Sequence, residues 1–392
     1  MKYYIIAGEA SGDLHGSNLM KGIYAEDPFA VIRFWGGDKM AAVHQEHTKV
    51  KDGSGLVRHY REGAVMGFQE VLAKGWRLLG NVAGCKKDIA GWDPDVVILI
   101  DYPGFNFKIA SFAHRRGFKV FYYIAPKVWA SREGRIRKLR KYVDRLFIVF
   151  PFEIPYFESK DIPYIYKGNP LVDAIDNSEE LARTREEFLR DNKLDDKPYI
   201  ALLAGSRANE IATMMPVLRE FAHKMKALPQ YSGYQFIIAG APARSLADYT
   251  PWLSKEDRFI KVVFGQAQSV IKHAEAAVVN SGTASLEAVL IGTPQVVGYR
   301  MGGLTYQIAK RIVKVKYISL GNLCIDKLAF RELIQNDCNP DALVEEVRRL
   351  VEDKEYRGRM LQDYSIIREK LGGSGASRAV AKAMIDTMPE IE

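Results

Sequence analysis

The stretch KYYIIAGEASGDLHG (residues 2–16) joins a short apolar segment to a glycine-rich polar turn and then to the start of a helical pattern. Its first half consists of apolar and aromatic residues, which is typical of a buried strand. The glycines that follow are typical of a tight turn at the end of a strand, and they allow a ligand to approach the backbone closely. The stretch therefore predicts one strand–turn–helix unit.

The same unit recurs along both halves of the chain. Short apolar segments alternate with longer amphipathic ones, and this pattern predicts an α/β fold with two doubly wound, Rossmann-like parallel sheets. The predicted strands are KYYIIAGE (2–9), VIRFWGG (31–37), DVVILID (95–101), KVFYYIA (119–125) and RLFIVFP (145–151), followed by YIALLAG (199–205), QFIIAGA (235–241), IKVVFG (260–265), AAVVNSG (276–282) and PQVVGYR (294–300).

Changes in composition suggest where the domains end. A charged stretch that closes with a proline separates the two sets of strands, and the last part of the chain has helical patterns only. We expect an N-terminal domain over residues 1–172, a linker helix over 173–198, a C-terminal domain over 199–340 and further helices over 341–392. Ligands of doubly wound sheets bind beyond the carboxyl ends of the strands. We therefore expect the site in the loops there, in a cleft between the domains.

The overall composition is that of a globular protein with a basic surplus. The 392 residues carry a net charge of +8, which favours polyanionic partners such as nucleic acid, an anionic lipid surface or a phosphorylated substrate. No apolar run approaches the ~18 residues that span a bilayer. The N-terminus also lacks the apolar core of a secretory signal. We expect a cytoplasmic protein.

Neither a metal nor a cofactor is expected from the sequence. The three cysteines, Cys85, Cys324 and Cys338, have neither disulfide nor zinc spacing. The tripeptide DPD (93–95) has the Asp-x-Asp pattern of some cation sites, but it precedes a predicted strand. It should therefore lie at the opposite edge of the sheet from the binding loops.

Two loops of the second half predict phosphate binding. In GSRANEI, Gly205 permits a sharp turn, Ser206 begins a helix, and Arg207 supplies a bidentate donor. In NSGTASLE, the backbone amides of residues 281–284 begin a second helix, and Glu287 is placed to accept hydrogen bonds from a ribose. Helix capping and a solvated arginine are the alternative. Two such loops in one domain favour a nucleotide-diphosphate site.

Two helical segments suit either a core or a membrane surface. The segment SREGRIRKLRKYVDR (131–145) has one basic face and one apolar stripe. The segment GAVMGFQEVLAKGWRLLG (63–80) has apolar residues, among them Met66, on more than one face. Both are explained by core packing with a solvated side or by contact with anionic lipid. No nucleic-acid-binding motif accompanies them, so we expect no nucleic-acid partner.

Eleven short motifs carry a family resemblance that runs through nearly the whole chain. They are AGEASGDLHG, GG with Met40, VMGFQEVL, PDVVILIDYPGFN, APKVWASR, PFE, GNPL, GSRANEI, NSGTASLE, ISLGNL and FRELIQNDCNP. In this order they resemble the lipid-A-disaccharide synthases. By contrast, a serine-hydrolase site built on Ser11 and His15 is not supported, because the G-x-S-x-G elbow is absent.

The resemblance implies an inverting, metal-independent glycosyltransferase of the two-domain GT-B architecture. It implies transfer of 2,3-diacylglucosamine from its UDP derivative to the 6-hydroxyl of 2,3-diacylglucosamine 1-phosphate, a step of lipid A and lipopolysaccharide synthesis. It also implies peripheral association with the inner membrane of a Gram-negative bacterium. Symmetric dimers are common, and the helical tail is a candidate surface for a homodimer.

Site residues follow from the resemblance by position. The diphosphate side takes Gly205, Ser206, Arg207, Ser281, Gly282, Thr283 and Ala284, the ribose side takes Glu287, and Asn322 is a further donor-side residue. The acceptor side takes Ser11, Gly12, Asn106 and Met66, and the catalytic candidates are Asp101, Glu9, Asp13 and His15.

One departure from the family pattern concerns the general base. Where the family has a second acid in the motif DYPGFN, this chain has Gly104, so the base must be another residue. Asp101 and Glu9 are the first candidates because both follow strands that face the expected cleft, although turn capping also explains Asp101. Two other functions remain as alternatives: a GT-B sugar-nucleotide epimerase, and a non-enzymatic basic protein that binds membrane or nucleic acid.

Overall fold

The structure is a computed structural model that describes residues 1–47, 53–63, 71–130, 133–242, 244–302 and 316–388. The chain divides into two compact units, one of Met1–Ala174 with Leu371–Glu392 and the other of Ile175–Lys370. Each unit is built on one parallel sheet with helices, so the predicted fold class is confirmed. No helix among the described residues is both long and apolar enough to span a bilayer.

The first unit contains a seven-stranded sheet in the order β3-β2-β1-β4-β5-β6-β7. All its strand pairs are parallel. Its strands are β1 (Lys2–Ala7), β2 (Val31–Gly36), β3 (Gly55–His59), β4 (Val96–Ile100), β5 (Lys119–Tyr123), β6 (Arg145–Ile148) and β7 (Ile165–Tyr166). Its helices are α1 (Ala10–Glu26), α2 (Asp38–His47), α3 (Val71–Trp92), α4 (Pro103–Arg115), α5 (Ile136–Tyr142), α6 (Glu153–Glu158) and α7 (Pro170–Asp176).

The second unit contains a six-stranded sheet in the order β10-β9-β8-β11-β12-β13, again with parallel pairs. Its strands are β8 (Tyr199–Leu203), β9 (Gln235–Gly240), β10 (Ile260–Phe264), β11 (Ala276–Asn280), β12 (Gln295–Tyr299) and β13 (Glu332–Ile334). Its helices are α8 (Glu179–Ala182), α9 (Arg185–Asp191), α10 (Ala208–Lys226), α11 (Ala267–Lys272), α12 (Thr283–Ile291), α13 (Leu320–Ile325), α14 (Pro340–Glu352) and α15 (Lys354–Leu371).

Burial on both faces explains why the strands are continuously apolar. In β1, Tyr4 and Ile6 belong to one hydrophobic cluster, whereas Tyr3 and Ile5 belong to another on the opposite face of the sheet. Neighbouring residues of a strand point to opposite faces, so helices on both sides require an apolar residue at every position.

The last helix, α16 (Ala376–Asp386), returns to the first unit and packs on α1. Gly22 of α1 permits this contact, because a Cβ there would lie 2.9 Å from the Cβ of Ala381. Asp173 accepts a hydrogen bond from the backbone N–H of Ser377 (2.7 Å) at the start of α16. The helices over 341–392 are thus shared between the two units.

The strand order determines where each sheet opens. In the first sheet the direction of winding reverses between β1 and β4, and in the second it reverses between β8 and β11. Ligands of doubly wound sheets bind at this switch point, because the loops there turn away from each other. The turns after β1, β4, β8 and β11 all hold residues that the sequence singled out. The tripeptide DPD lies at the other edge, where Asp95 accepts a hydrogen bond from the Lys2 N–H at the start of β1 (2.7 Å).

Candidate active site

The turn after β4 holds Asp101 in a strained conformation. Asp101 and Tyr102 have φ angles of 42° and 45°, a region that non-glycine residues rarely occupy. The Asp101 carbonyl oxygen accepts hydrogen bonds from Asn106 Nδ2 (2.8 Å) and from the Tyr122 hydroxyl (2.6 Å). Strain of this kind persists only where the surroundings over-determine the backbone, and it is concentrated at functional sites.

The electrostatic surroundings of Asp101 suit a proton acceptor. Burial raises the pKa of its carboxyl group, the positive charges of Lys127 and Arg135 oppose that rise, and the negative charge of Glu9 adds to it. Glu9 is exposed at the start of α1 and makes no capping bond with its side chain. A carboxylate with a raised pKa takes a proton more readily, which is what a general base requires.

The carboxylate of Asp13 is occupied by backbone groups. It is buried, and it accepts hydrogen bonds from the N–H groups of Gly37 (2.7 Å), Lys39 (3.1 Å) and Met40 (3.1 Å). These groups lie at the start of α2, where helix amides lack partners within the helix. Asp13 therefore ties α1 to α2 across the end of β2.

His15 is a partly buried and uncharged side chain. Burial lowers its pKa to about 4, against an opposing effect of Asp173. Its Nδ1 atom has no hydrogen-bond partner among the residues that the structure describes. The imidazole is therefore neutral near pH 7 and is packed within the first unit.

The acceptor-side residues predicted from the sequence have different surroundings. Ser11 is exposed on the first turn of α1, and a Cβ at Gly12 would lie 3.2 Å from that of Ala7. Asn106 is fully buried and supports the backbone of Asp101. Met66 lies outside the described residues.

Gly8 allows the turn after β1 to pack closely against the Tyr102 ring. A Cβ at Gly8 would lie 2.3 Å from a ring carbon of Tyr102. The turn after β1 is therefore packed directly against the aromatic ring that follows Asp101, and this ring stacks on Phe105 with centroids 5.6 Å apart. Gly104 differs, because its Cβ would meet no described atom within 4 Å.

In the second unit, the turn after β8 is occupied by a carboxylate of its own helix. Gly205 has a φ of 109°, and a Cβ there would lie 2.4 Å from Asn280 Nδ2. Glu210 accepts hydrogen bonds from the N–H groups of Ser206 (2.9 Å) and Arg207 (3.1 Å). The Arg207 side chain, 74% exposed, forms an ion pair with the same carboxylate at 3.2 Å. The backbone donors expected to bind phosphate are thus held by Glu210.

The turn after β11 leaves its helix N-terminus without a side-chain cap. Gly282 precedes α12 with a φ of 155° and caps no amide. Ser281 Oγ donates instead to the Ile318 carbonyl (3.2 Å), and Ser285 Oγ donates to the Gly282 carbonyl (2.8 Å). Thr283 is exposed. The first amides of α12, at Thr283 and Ala284, are therefore suited to bind an anion.

Glu287 and Asn322 each form a hydrogen bond with another protein group. Burial raises the pKa of Glu287, a hydrogen bond with Gln268 opposes this, and Glu180 adds to it. Asn322, predicted on the donor side, is fully buried. Its Nδ2 donates to the Phe330 carbonyl (3.0 Å), and its Oδ1 accepts from the Ala329 N–H (2.9 Å). Its amide group therefore stabilises the turn before β13.

Two residues at the turns after β8 and β11 were not predicted from the sequence. Asn280 is buried at the end of β11 and donates through Nδ2 to the Ala204 carbonyl (3.4 Å), which links the two loops. Its Oδ1 atom has no partner within the described part of the chain. Glu210 is the other residue, and its spacing of three residues from Arg207 is the signal of a capping box.

Comparison with known proteins identifies the family. A family model described as lipid-A-disaccharide synthetase matches residues 3–384. The chain is 37% identical to the lipid-A-disaccharide synthase of Geobacter metallireducens over 385 residues, 98% of this chain and 96% of the relative. It is 34% identical to the synthase of Trichlorobacter lovleyi over 388 residues, 98% and 97% of the two chains.

Solved structures with the same fold are more distant in sequence. The UDP-GlcNAc 2-epimerase of Neisseria meningitidis bound to UDP-GlcNAc has a TM-score of 0.71 at 14% identity, covering 99% of this chain and 100% of that one. The calicheamicin glycosyltransferase CalG4 has a TM-score of 0.58 at 14% identity, covering 98% of each chain. These likenesses show the GT-B fold. The family match shows more: the chain belongs to the lipid-A-disaccharide synthase family of glycosyltransferases.

Proposed function

We propose that the protein transfers 2,3-diacylglucosamine from UDP-2,3-diacylglucosamine to the 6-hydroxyl of 2,3-diacylglucosamine 1-phosphate. The products are the β-1,6-linked disaccharide 1-phosphate and UDP. Family membership supports the reaction class. Within the structure, one observation carries the proposal: a strained carboxylate with a raised pKa, Asp101, lies at the switch point of the first sheet.

The first unit supplies the base. Asp101 takes the proton from the 6-hydroxyl as its oxygen attacks the anomeric carbon of the donor, and the bond from that carbon to the diphosphate breaks. A single displacement of this kind inverts the configuration at the anomeric carbon. Glu9 is the second candidate for the base, since its charge acts on Asp101. We assign Asp13, His15 and Asn106 no catalytic role. Asp13 joins α1 to α2, Asn106 supports the Asp101 backbone, and His15 Nδ1 is shut off from solvent.

The second unit stabilises the departing UDP. The uncapped amides of Thr283 and Ala284 and the exposed guanidinium of Arg207 are suited to the negative charge that develops on the diphosphate. We propose that these groups replace a metal ion in that role. Glu287 binds the ribose in this proposal. The likeness to an epimerase bound to UDP-GlcNAc supports a nucleotide-sugar donor.

We further propose peripheral binding to the cytoplasmic face of the inner membrane. The helix α5 supports this, because Arg137, Lys138, Arg140 and Lys141 are all exposed on it. Clustered basic side chains attract anionic lipid by about 1 kcal/mol each. A homodimer remains part of the proposal, with its interface unassigned.

The direct test is incubation of the purified protein with both acylated glucosamine substrates, followed by mass spectrometry of the lipid product. We expect the disaccharide 1-phosphate and an equal amount of UDP. Asp101→Asn should lower kcat by about 10²–10⁴-fold with intact folding. Near-normal turnover by Asp101→Asn and by Glu9→Gln would place the base elsewhere. Turnover of UDP-GlcNAc alone would favour an epimerase.

A further inference from the structure

Two cationic side chains lie near Asp101 and have no part in the mechanism above. Lys127 lies in the turn after β5, and Arg135 lies just before α5. The charges of both act on the Asp101 carboxyl group, and the charge of Lys127 also acts on the carboxyl group of Glu153. The geometry agrees, because the Asp101 N–H donates to the Tyr123 carbonyl at the end of β5 (3.1 Å) and Arg135 lies over the Phe107 ring of α4, the helix that follows Asp101.

The turn that carries Lys127 is firmly held. Glu153 accepts hydrogen bonds from the N–H groups of Val149 (3.1 Å) and Phe150 (3.0 Å), and its other oxygen accepts one from Trp129 Nε1 (3.2 Å). The Tyr156 hydroxyl donates to the carbonyl of the residue after Lys127 (3.2 Å). The backbone of the turn is therefore fixed against the end of β6.

The same edge concentrates backbone strain. Ile124 directly follows β5, at the start of the turn that holds Lys127, and has a φ of 62°. A β-branched residue in the left-handed region is a genuine outlier. Asp101 and Tyr102 are strained in the same way directly after β4, which pairs with β5. Backbone strain at the ends of two adjacent strands is typical of a binding site.

Lys127 has an exposed side chain that is not paired within the protein. Its ammonium group forms no hydrogen bond and no ion pair with any residue in the described ranges. Its positive charge nevertheless acts to lower the pKa of the Asp101 and Glu153 carboxyl groups. A fixed turn that presents an unpaired cation beside the proposed catalytic carboxylate is suited to hold an anionic group of a substrate. Arg135 adds a guanidinium, the side chain whose planar fork matches phosphate oxygens.

We propose that Lys127 and Arg135 bind the phosphate of the acceptor sugar. This assignment rests on the proposed function, in which the acceptor carries a phosphate on carbon 1. In the acceptor sugar, only the ring oxygen and carbon 5 separate carbon 1 from carbon 6, which carries the attacking hydroxyl. The phosphate and this hydroxyl are therefore at the same end of the sugar. A phosphate anchored by the two cations therefore brings the attacking hydroxyl towards Asp101. Glu153 is a positioning residue, because it acts on the acceptor through the Lys127 turn.

The test compares two acceptors in uncharged detergent micelles, so that no phospholipid is present and the two reactions differ only in the phosphate of the acceptor. One acceptor carries the 1-phosphate, and the other is the same diacylglucosamine without it. For Lys127→Gln and for Arg135→Gln, we expect KM for the phosphorylated acceptor to rise about tenfold to a hundredfold. We expect KM for the UDP-sugar to be unchanged, Lys127→Arg to restore most of the loss, and the acceptor without phosphate to react equally with all the proteins.

Lys119→Gln is the matched control. Lys119 is exposed at the start of β5, whereas Lys127 follows the end of the same strand, so the control removes a lysine charge at the opposite edge of the sheet. An equal loss on both acceptors would overturn the assignment, because the cations would then act on Asp101 or on the fold. Unchanged kinetics in both glutamine variants would overturn it as well. A folded wild-type protein that forms no disaccharide would instead refute the proposed function.

Discussion

Replacing Gly8 by alanine should destabilise the first unit and weaken catalysis together. The added Cβ would lie 2.3, 2.4 and 2.7 Å from three ring carbons of Tyr102, well inside contact distance. The ring has limited freedom to move, because the Tyr102 backbone is already strained and the ring stacks on Phe105. Overpacking of this kind costs about 1–3 kcal/mol of unfolding free energy.

The assay is urea unfolding of the full chain, with near-ultraviolet circular dichroism and tyrosine fluorescence as probes. The control is Gly84→Ala in α3, where the Cβ meets no described atom within 4 Å and the glycine is exposed. A mid-helix glycine replaced in this way should stabilise the protein by about 0.4–1 kcal/mol. Opposite signs at the two glycines would isolate the clash from the general effect of adding a methyl group.

A double variant decides whether the ring is the cause. In Gly8→Ala with Tyr102→Ala, the ring is absent, so the second substitution should remove most of the cost of the first, a coupling of about 1–3 kcal/mol. Strictly additive effects would refute the reasoning. An unchanged kcat in Gly8→Ala would show that the position of Asp101 does not depend on this contact.

Three further substitutions test the electrostatics. Glu210→Gln keeps an oxygen for the backbone donors but removes a negative charge from the N-terminus of α10. UDP should therefore bind about twofold to fivefold more tightly, as measured by calorimetry. Weaker binding would contradict this. Burial raises the pKa of Asp257, but hydrogen bonds led by that from Arg219 outweigh it and hold the pKa well below its ordinary value. Asp257→Asn should therefore cost about 1.5–3 kcal/mol at pH 7 in urea unfolding, and progressively less as the pH falls below about 4. Burial lowers the pKa of His15 from 6.5 to about 4, so protonation of the unfolded chain should reduce stability by up to about 1.4 kcal/mol per pH unit as the pH falls from 6.5 to 4. His15→Gln should flatten that part of the profile, and an unaltered slope would show that another group causes it.

The central strands were predictable from sequence, whereas three of the four edge strands were not. Every strand buried on both faces produced a continuous apolar run, and the ten predicted strands all occur. The three strands that the sequence analysis missed, β3, β7 and β13, are each at an edge of a sheet. Edge strands are short and only partly buried, so they lack that signal. The strand GLVRH of β3 has one fully buried residue, at Gly55.

The site was predictable as a set of loops, but the partners of its side chains were not. A sequence shows that a carboxylate follows a strand, and it does not show which distant backbone amides the carboxylate will meet. Asp13 and Glu210 are both carboxylates near a helix start, and each is satisfied by N–H groups of a helix N-terminus. Asp101 differs because burial and strain act on it, and both depend on the neighbouring strands. The role of Lys127 likewise depends on Glu153, which lies on a different strand connection.

The return of α16 to the first unit has a consequence for biosynthesis. The α1 surface at Gly22 is covered by residues near Ala381, which leave the ribosome only after the whole second unit. An emerging chain therefore holds an incomplete first unit while the second is made, with an apolar groove exposed on α1. Chaperones that recognise apolar segments have their longest opportunity to bind there, and a premature stop after Leu371 would release a protein with both sheets but with that groove open.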